Sequence, residues 1–95
     1  MHRARALAKA DVAYQDAEEL EHSPPESLSR QASLRKAARR YTSAADAYQR
    51  AGLGLMARRA YGEAARCWQE IGEANLCETS RTWQSAIPVY WSEEA

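Results

Sequence analysis

Residues 37–52 read AARRYTSAADAYQRAG, and residues 57–72 read ARRAYGEAARCWQEIG. At an offset of twenty, Ala37 meets Ala57, Arg39 meets Arg59 and Tyr41 meets Tyr61. The Ala44-Ala45 pair meets Ala64-Ala65, Tyr48 meets Trp68, Gln49 meets Gln69 and Gly52 meets Gly72. Self-similarity of this kind fixes architecture before any single residue does. Within each copy the apolar positions recur at three and four, the period of a helix with one buried stripe. Each copy ends in Gly, which accepts the left-handed backbone that closes a helix. The expected unit is an antiparallel helical hairpin linked through Gly52-Leu53-Gly54. The small Ala-Ala pairs let the backbones approach, and the aromatic residues fill the space beside them.

The remainder extends this to four helices in one domain, residues 1–95, of the all-α class. Phe is absent and Ala abundant, which favours helix over sheet. Residues 3–21 form the first helix, with Leu7, Ala10, Tyr14, Ala17 and Leu20 at helical spacing. Its Ala10-x3-Tyr14-x2-Ala17 phrase faintly echoes the repeat, as a degenerate third copy would. Ser23, Pro24 and Glu26 have the spacing of a capping box with Pro at the first helical position. That predicts a second helix over 24–51, its first half (Leu28, Ala32, Leu34) on helix 1 and its second half on helix 3. The third helix covers 55–71. Gly62 lies inside it at a cost of roughly 1 kcal/mol against Ala, a cost expected where a neighbouring backbone comes close. Asn75 with Glu78 suggests a cap for a fourth helix over 75–87, stopped by Pro88. Leu76, Thr79, Trp83 and Ala86/Ile87 share one of its faces. The tail, 88–95, is aromatic and then acidic.

Formal charge is zero, with 13 basic and 13 acidic residues, so no global field draws this chain to nucleic acid. Locally the charge is blocked. Arg3, Arg5 and Lys9 precede the acids Asp11, Asp16, Glu18, Glu19, Glu21 and Glu26, and then come Arg30, Arg35, Lys36, Arg39 and Arg40. The simplest expectation is mutual neutralisation across a helix pair, with the acids of helix 1 forming an exposed run. No apolar run is long enough for a membrane span, and two cysteines are too few for a disulfide framework, so a cytoplasmic setting is expected. Cys67 stands where the first copy has Ala47, as a small apolar residue would. His2, His22, Cys67 and Cys77 lack metal-ligand spacing, and no phosphate-cradling Gly loop is present, so no metal, cofactor or enzymatic site is expected.

Two resemblances add to this. The hairpin 37–72 resembles a tetratricopeptide repeat. Tyr41-x2-Ala44-Ala45-x2-Tyr48 followed by Ala57-x3-Tyr61-x2-Ala64 keeps that family's spacing, while Gln69 stands where the family has Pro. A further repeat from Asn75 fails at Glu78, Thr79 and Thr82, and a single repeat implies no concave peptide groove. Separately, Tyr61-x2-Ala64-Ala65-x2-Trp68, followed by Ser80-Arg81-Thr82-Trp83, resembles the AraC-negative-regulator family and the PerC-type activators. In this chain Ser80 replaces their Asn, and the end lacks their bases and Cys. That likeness implies a small bacterial or phage regulator that contacts a transcription factor or nucleoid protein.

The reading for function is a non-enzymatic protein–protein interaction module. Its candidate partner-binding residues are Arg35, Lys36, Arg39 and Arg40 on helix 2, Trp83 on helix 4, and Tyr90 and Trp91 in the tail. The anchors are aromatic because such residues dominate interface energetics. Self-association as a homodimer is a second use for such surfaces. The alternatives are direct DNA contact through the basic face of helix 2, and a phage-type inhibitor whose acidic run mimics phosphate. Direct nucleic-acid contact is the lesser expectation, because no aromatics interleave with those bases.

Overall fold

The computed structural model describes residues 2–88, with side chains from residue 4 onward, so the tail that carries Tyr90 and Trp91 lies outside the described residues. Four helices follow one another: α1 (His2–His22), α2 (Arg30–Arg50), α3 (Gly54–Glu70) and α4 (Ala74–Ala86). Among the described residues there is no strand, and each helix packs chiefly on its neighbours in sequence. The result is a slab of 41 × 26 × 15 Å.

The twenty-residue repeat appears as the same turn made twice. Gly52 and Gly72 take φ of 78° and 79°. After α2, the Gly52 amide donates to the Gln49 carbonyl at 3.0 Å, and the Leu53 amide donates to Tyr48 at 2.9 Å. After α3, Gly72 donates to Gln69 at 3.1 Å, and Glu73 donates to Trp68 at 2.9 Å. This is the paired closure in which a left-handed residue lets two amides reach back to orphaned helix carbonyls. The α3–α4 connection therefore repeats α2–α3 even though the sequence of α4 has left the repeat.

The start of α2 differs from expectation. Ser23 does not cap it. Residues 23–29 form a turn in which the Leu28 amide donates to the Pro25 carbonyl at 3.1 Å. Pro25 disfavours helical backbone at Pro24, so a helix cannot begin there. Ser29 is the cap instead, with extended backbone (φ −68°, ψ 160°) and its hydroxyl accepting from the Ala32 amide at 3.1 Å. Asn75 does not cap α4 either. The helix begins at Ala74 with Glu73 at the cap position and no side-chain cap bond. Ile87 ends it in extended backbone, ψ 121°, as the residue before Pro88 should.

The core has two halves that meet at Tyr14. One holds Ala10, Ala44, Ala45, Tyr48, Leu53, Ala57, Ala60, Tyr61 and Ile87. The other holds Ala17, Leu34, Ala37, Ala38, Tyr41, Ala64, Cys67 and Trp68. The Tyr14 ring packs against both, edge-on to Tyr41 at 5.1 Å and to Tyr48 at 6.4 Å. Ala45 and Ala64 thus fall in different halves, so the two Ala-Ala pairs do not face one another. In an antiparallel hairpin the later part of one copy meets the start of the other: Ala44 and Ala45 sit with Ala57 and Tyr61, and Ala64 sits with Ala37 and Tyr41. For the same reason α2 is not divided between its neighbours. Its early residues join both α1 (Ala17) and α3 (Ala64, Cys67), and its late residues join both Ala10 and Ala57.

Candidate functional site

Two features rise above the packing: a buried carboxylate and an open groove. Glu21 is 1% exposed. Its Oε1 accepts from the Tyr41 hydroxyl at 2.8 Å, and its other oxygen pairs with the Arg66 guanidinium, which also holds Glu63. His22 Nε2 lies 3.3 Å from Oε1. The Glu21 backbone carbonyl accepts from Arg30 at 2.6 Å, and Arg30 also bonds Glu70 at 3.1 Å. One side chain thus ties α1 to α2 and α3, and a base from α2 closes the acid-rich end of α1, where the helix dipole favours a cation. Burial pushes the Glu21 carboxyl upward. The hydrogen bonds from Arg66 and Tyr41 outweigh this and hold it below the usual glutamate range. Burial, reinforced by the Glu21 carboxylate, raises the Tyr41 hydroxyl well above a free tyrosine.

Glu21 therefore does not belong to an exposed acidic run. The sequence carried a signal for this. In the three Ala-x3-Tyr-x2-Ala phrases, Tyr48 follows Tyr41 by seven, Trp68 follows Tyr61 by seven, and Glu21 follows Tyr14 by seven. Glu21 occupies the place of a buried ring. Nor do the bases of α2 neutralise the acids of α1 through side-chain pairs. Among the described residues, Arg30 pairs with Glu70 and Arg35 with Glu73 (2.7 Å), both beyond α3's midpoint. The one α1 acid with a guanidinium partner takes it from α3.

The groove lies between α2 and α4 over α3. Its volume is about 270 Å³, and its walls are Arg39, Thr42, Tyr61, Trp68, Leu76, Thr79, Ser80 and Trp83. Trp83 stacks on Tyr61 at 6.5 Å and 20°, yet remains 53% exposed, and Leu76 beside it is 40% exposed. Trp68 forms the floor at 5% exposure, with the Arg35 guanidinium 5.8 Å from its ring centre. No groove was expected from a single repeat. It forms because the copied turn at Gly72 returns α4 alongside α3. α4 is held there by Gln84, whose amide donates to the Arg58 carbonyl at 3.0 Å. Gln84 also explains Gly62: a Cβ at residue 62 would lie 2.6 Å from Gln84 Nε2. The close neighbour is a side chain, not the expected backbone.

The predicted site residues divide accordingly. Arg39 and Trp83 meet in the groove. Arg35 is committed to Glu73 and stands over Trp68. Arg40 lines a different groove, between α1 and α2. Lys36 is exposed on α2, and Tyr90 and Trp91 lie outside the described residues. Among the described residues no group of three or more His, Cys, Asp and Glu could hold a metal ion, and no helix is long and apolar enough to cross a membrane. Both cysteines are free, Cys67 fully buried with its thiol pushed up by burial to about 12.

Fold and groove together define an all-α protein built from antiparallel helical hairpins, with a small concave face. Comparison with protein-family models, with curated proteins and with solved structures finds no match for this chain.

Proposed function

We propose that this chain is a non-enzymatic regulatory protein, of bacterial or phage origin, that works in the cytoplasm by docking another protein in the α2–α4 groove. The observation that carries this reading is Trp83, an indole left half exposed on the rim of a groove whose floor is aromatic. An exposed ring fixed by stacking loses little freedom on binding, which is why such residues anchor interfaces. The lining is rings, hydroxyls, one leucine side chain and one guanidinium, the chemistry of recognition rather than of proton transfer. Arg39 on the wall makes no ion pair among the described residues and suits a partner segment with an apolar anchor beside a carboxylate. The tetratricopeptide-like spacing of 37–72 supports a scaffold of this kind. The likeness of the C-terminal half to PerC-type regulators supports a transcription or nucleoid-associated factor as the partner.

Affinity capture with the full chain, run beside Trp83→Ala and Arg39→Glu, tests this. A partner held by the wild type and lost, at least tenfold, from both variants is the expected result. A captured set indifferent to both substitutions removes the groove as the docking site.

A further inference from the structure

The outer face of α1 carries a charge order that is complementary to itself. Arg5, Lys9, Val12, Asp16 and Glu19 fall at steps of three and four and so form one stripe. They line two adjoining grooves on the α1 side of the α1–α2 seam, the first about 630 Å³, whose α2 side carries Arg40 and the paired Asp46 and Arg50. Bases occupy one end, acids the other, and the midpoint is Val12, an apolar side chain 59% exposed. None of the four charged residues has an ion-pair partner among the described residues, whereas Glu21, on the inner face, is fully paired. A two-fold axis through Val12 would lay α1 antiparallel on a second α1, over about 21 Å from Arg5 to Glu19. Arg5 then meets Glu19, and Lys9 meets Asp16, twice each, with Val12 against Val12.

We propose that this face of α1 is an isologous interface between two copies of the chain. Closed two-fold contacts require that one patch complement itself, and this stripe does so in both charge and apolarity. Its row includes Ala8, which lets two helices approach closely. The interface is separate from the docking groove. Arg40 borders the α1 face and Arg39 borders the groove, so a dimer would leave both grooves' α4 walls open to partners. The proposal stands whether or not the groove docks anything.

Sedimentation equilibrium of the full chain provides the test, with two charge variants, Arg5→Glu/Lys9→Glu and Asp16→Lys/Glu19→Lys. Each variant makes the stripe one sign, so each should be monomeric where the wild type is dimeric. Mixed in equal amounts, they should pair again as a heterodimer. The wild-type dissociation constant should weaken roughly tenfold between 50 and 500 mM salt, because the pairs are solvent-facing. Helical circular dichroism checks folding. If a charge variant loses it, Val12→Lys, at a site 59% exposed, serves instead and should also be monomeric. A monomeric wild type, a dimer that survives every variant, or folded variants that fail to pair on mixing would each overturn the proposal.

Discussion

Replacing Glu21 tests whether a single carboxylate joins three helices. Glu21→Ala leaves the Tyr41 hydroxyl, on a residue with 0% exposure, without its acceptor. An unsatisfied buried hydroxyl costs about 1–3 kcal/mol. The Arg66 half of the arrangement counts for less. Its side chain is 44% exposed and also holds Glu63, so losing Glu21 there costs under about 1 kcal/mol. The total is about 3 kcal/mol, which in a domain of this size lowers Tm by roughly 15 °C. Glu21→Gln keeps an acceptor for Tyr41 and gives up only the charge, so it should cost about 1 kcal/mol, near 5 °C. Thermal unfolding followed by circular dichroism reads both. The pH dependence adds a second readout. Because the folded Glu21 carboxyl lies below the ordinary 4.5, its contribution is present in full above that value and is lost as pH falls through the folded one. The stability gap between wild type and Glu21→Gln should therefore be constant near neutrality and shrink in acid. Equal Tm losses for Ala and Gln, or a gap that grows on acidification, would refute the reasoning.

Gly62→Ala should be nearly neutral, because about 1 kcal/mol of helix propensity is offset by displacing Gln84 from the Arg58 carbonyl. In a Gln84→Ala background the same substitution should stabilise by about 1 kcal/mol, and urea titration of the four proteins would show it. Cys67, fully buried with its thiol raised to about 12, should resist a disulfide reagent at pH 8 while the partly exposed Cys77 reacts. One fast thiol in the native protein and two in denaturant is the expected count.

The helices were legible because their information is local and periodic. Ala, Tyr and Gly at fixed spacing dictate a buried stripe and a left-handed stop, and both turns at Gly52 and Gly72 came out as the repeat implied. The second helix start was misread for an equally local reason. Ser23 and Glu26 have capping spacing, but Pro24-Pro25 forbids the backbone, and six residues after Ser23 the cap is made by Ser29 without the motif. Register lay beyond what spacing can give: the Ala-Ala pairs were expected to bring the two backbones together, whereas Ala44 and Ala45 pack with Ala57 and Tyr61, and Ala64 with Ala37 and Tyr41.

The site was half legible. Trp83 and Arg39 were named from the sequence, but their meeting depends on α4, a helix whose own residues have left the repeat. Continuing the offset of twenty explains this departure. Cys77 stands for Ala57, Arg81 for Tyr61, Gln84 for Ala64 and Ser85 for Ala65. These replacements, save Gln84, line the far side of α3–α4. The same substitutions hide α4 from a search for the repeat's pattern, yet the copied turn still sets α4 beside α3, and this gives α2 an opposite wall. The groove therefore follows from the repeat's geometry persisting one element longer than its sequence.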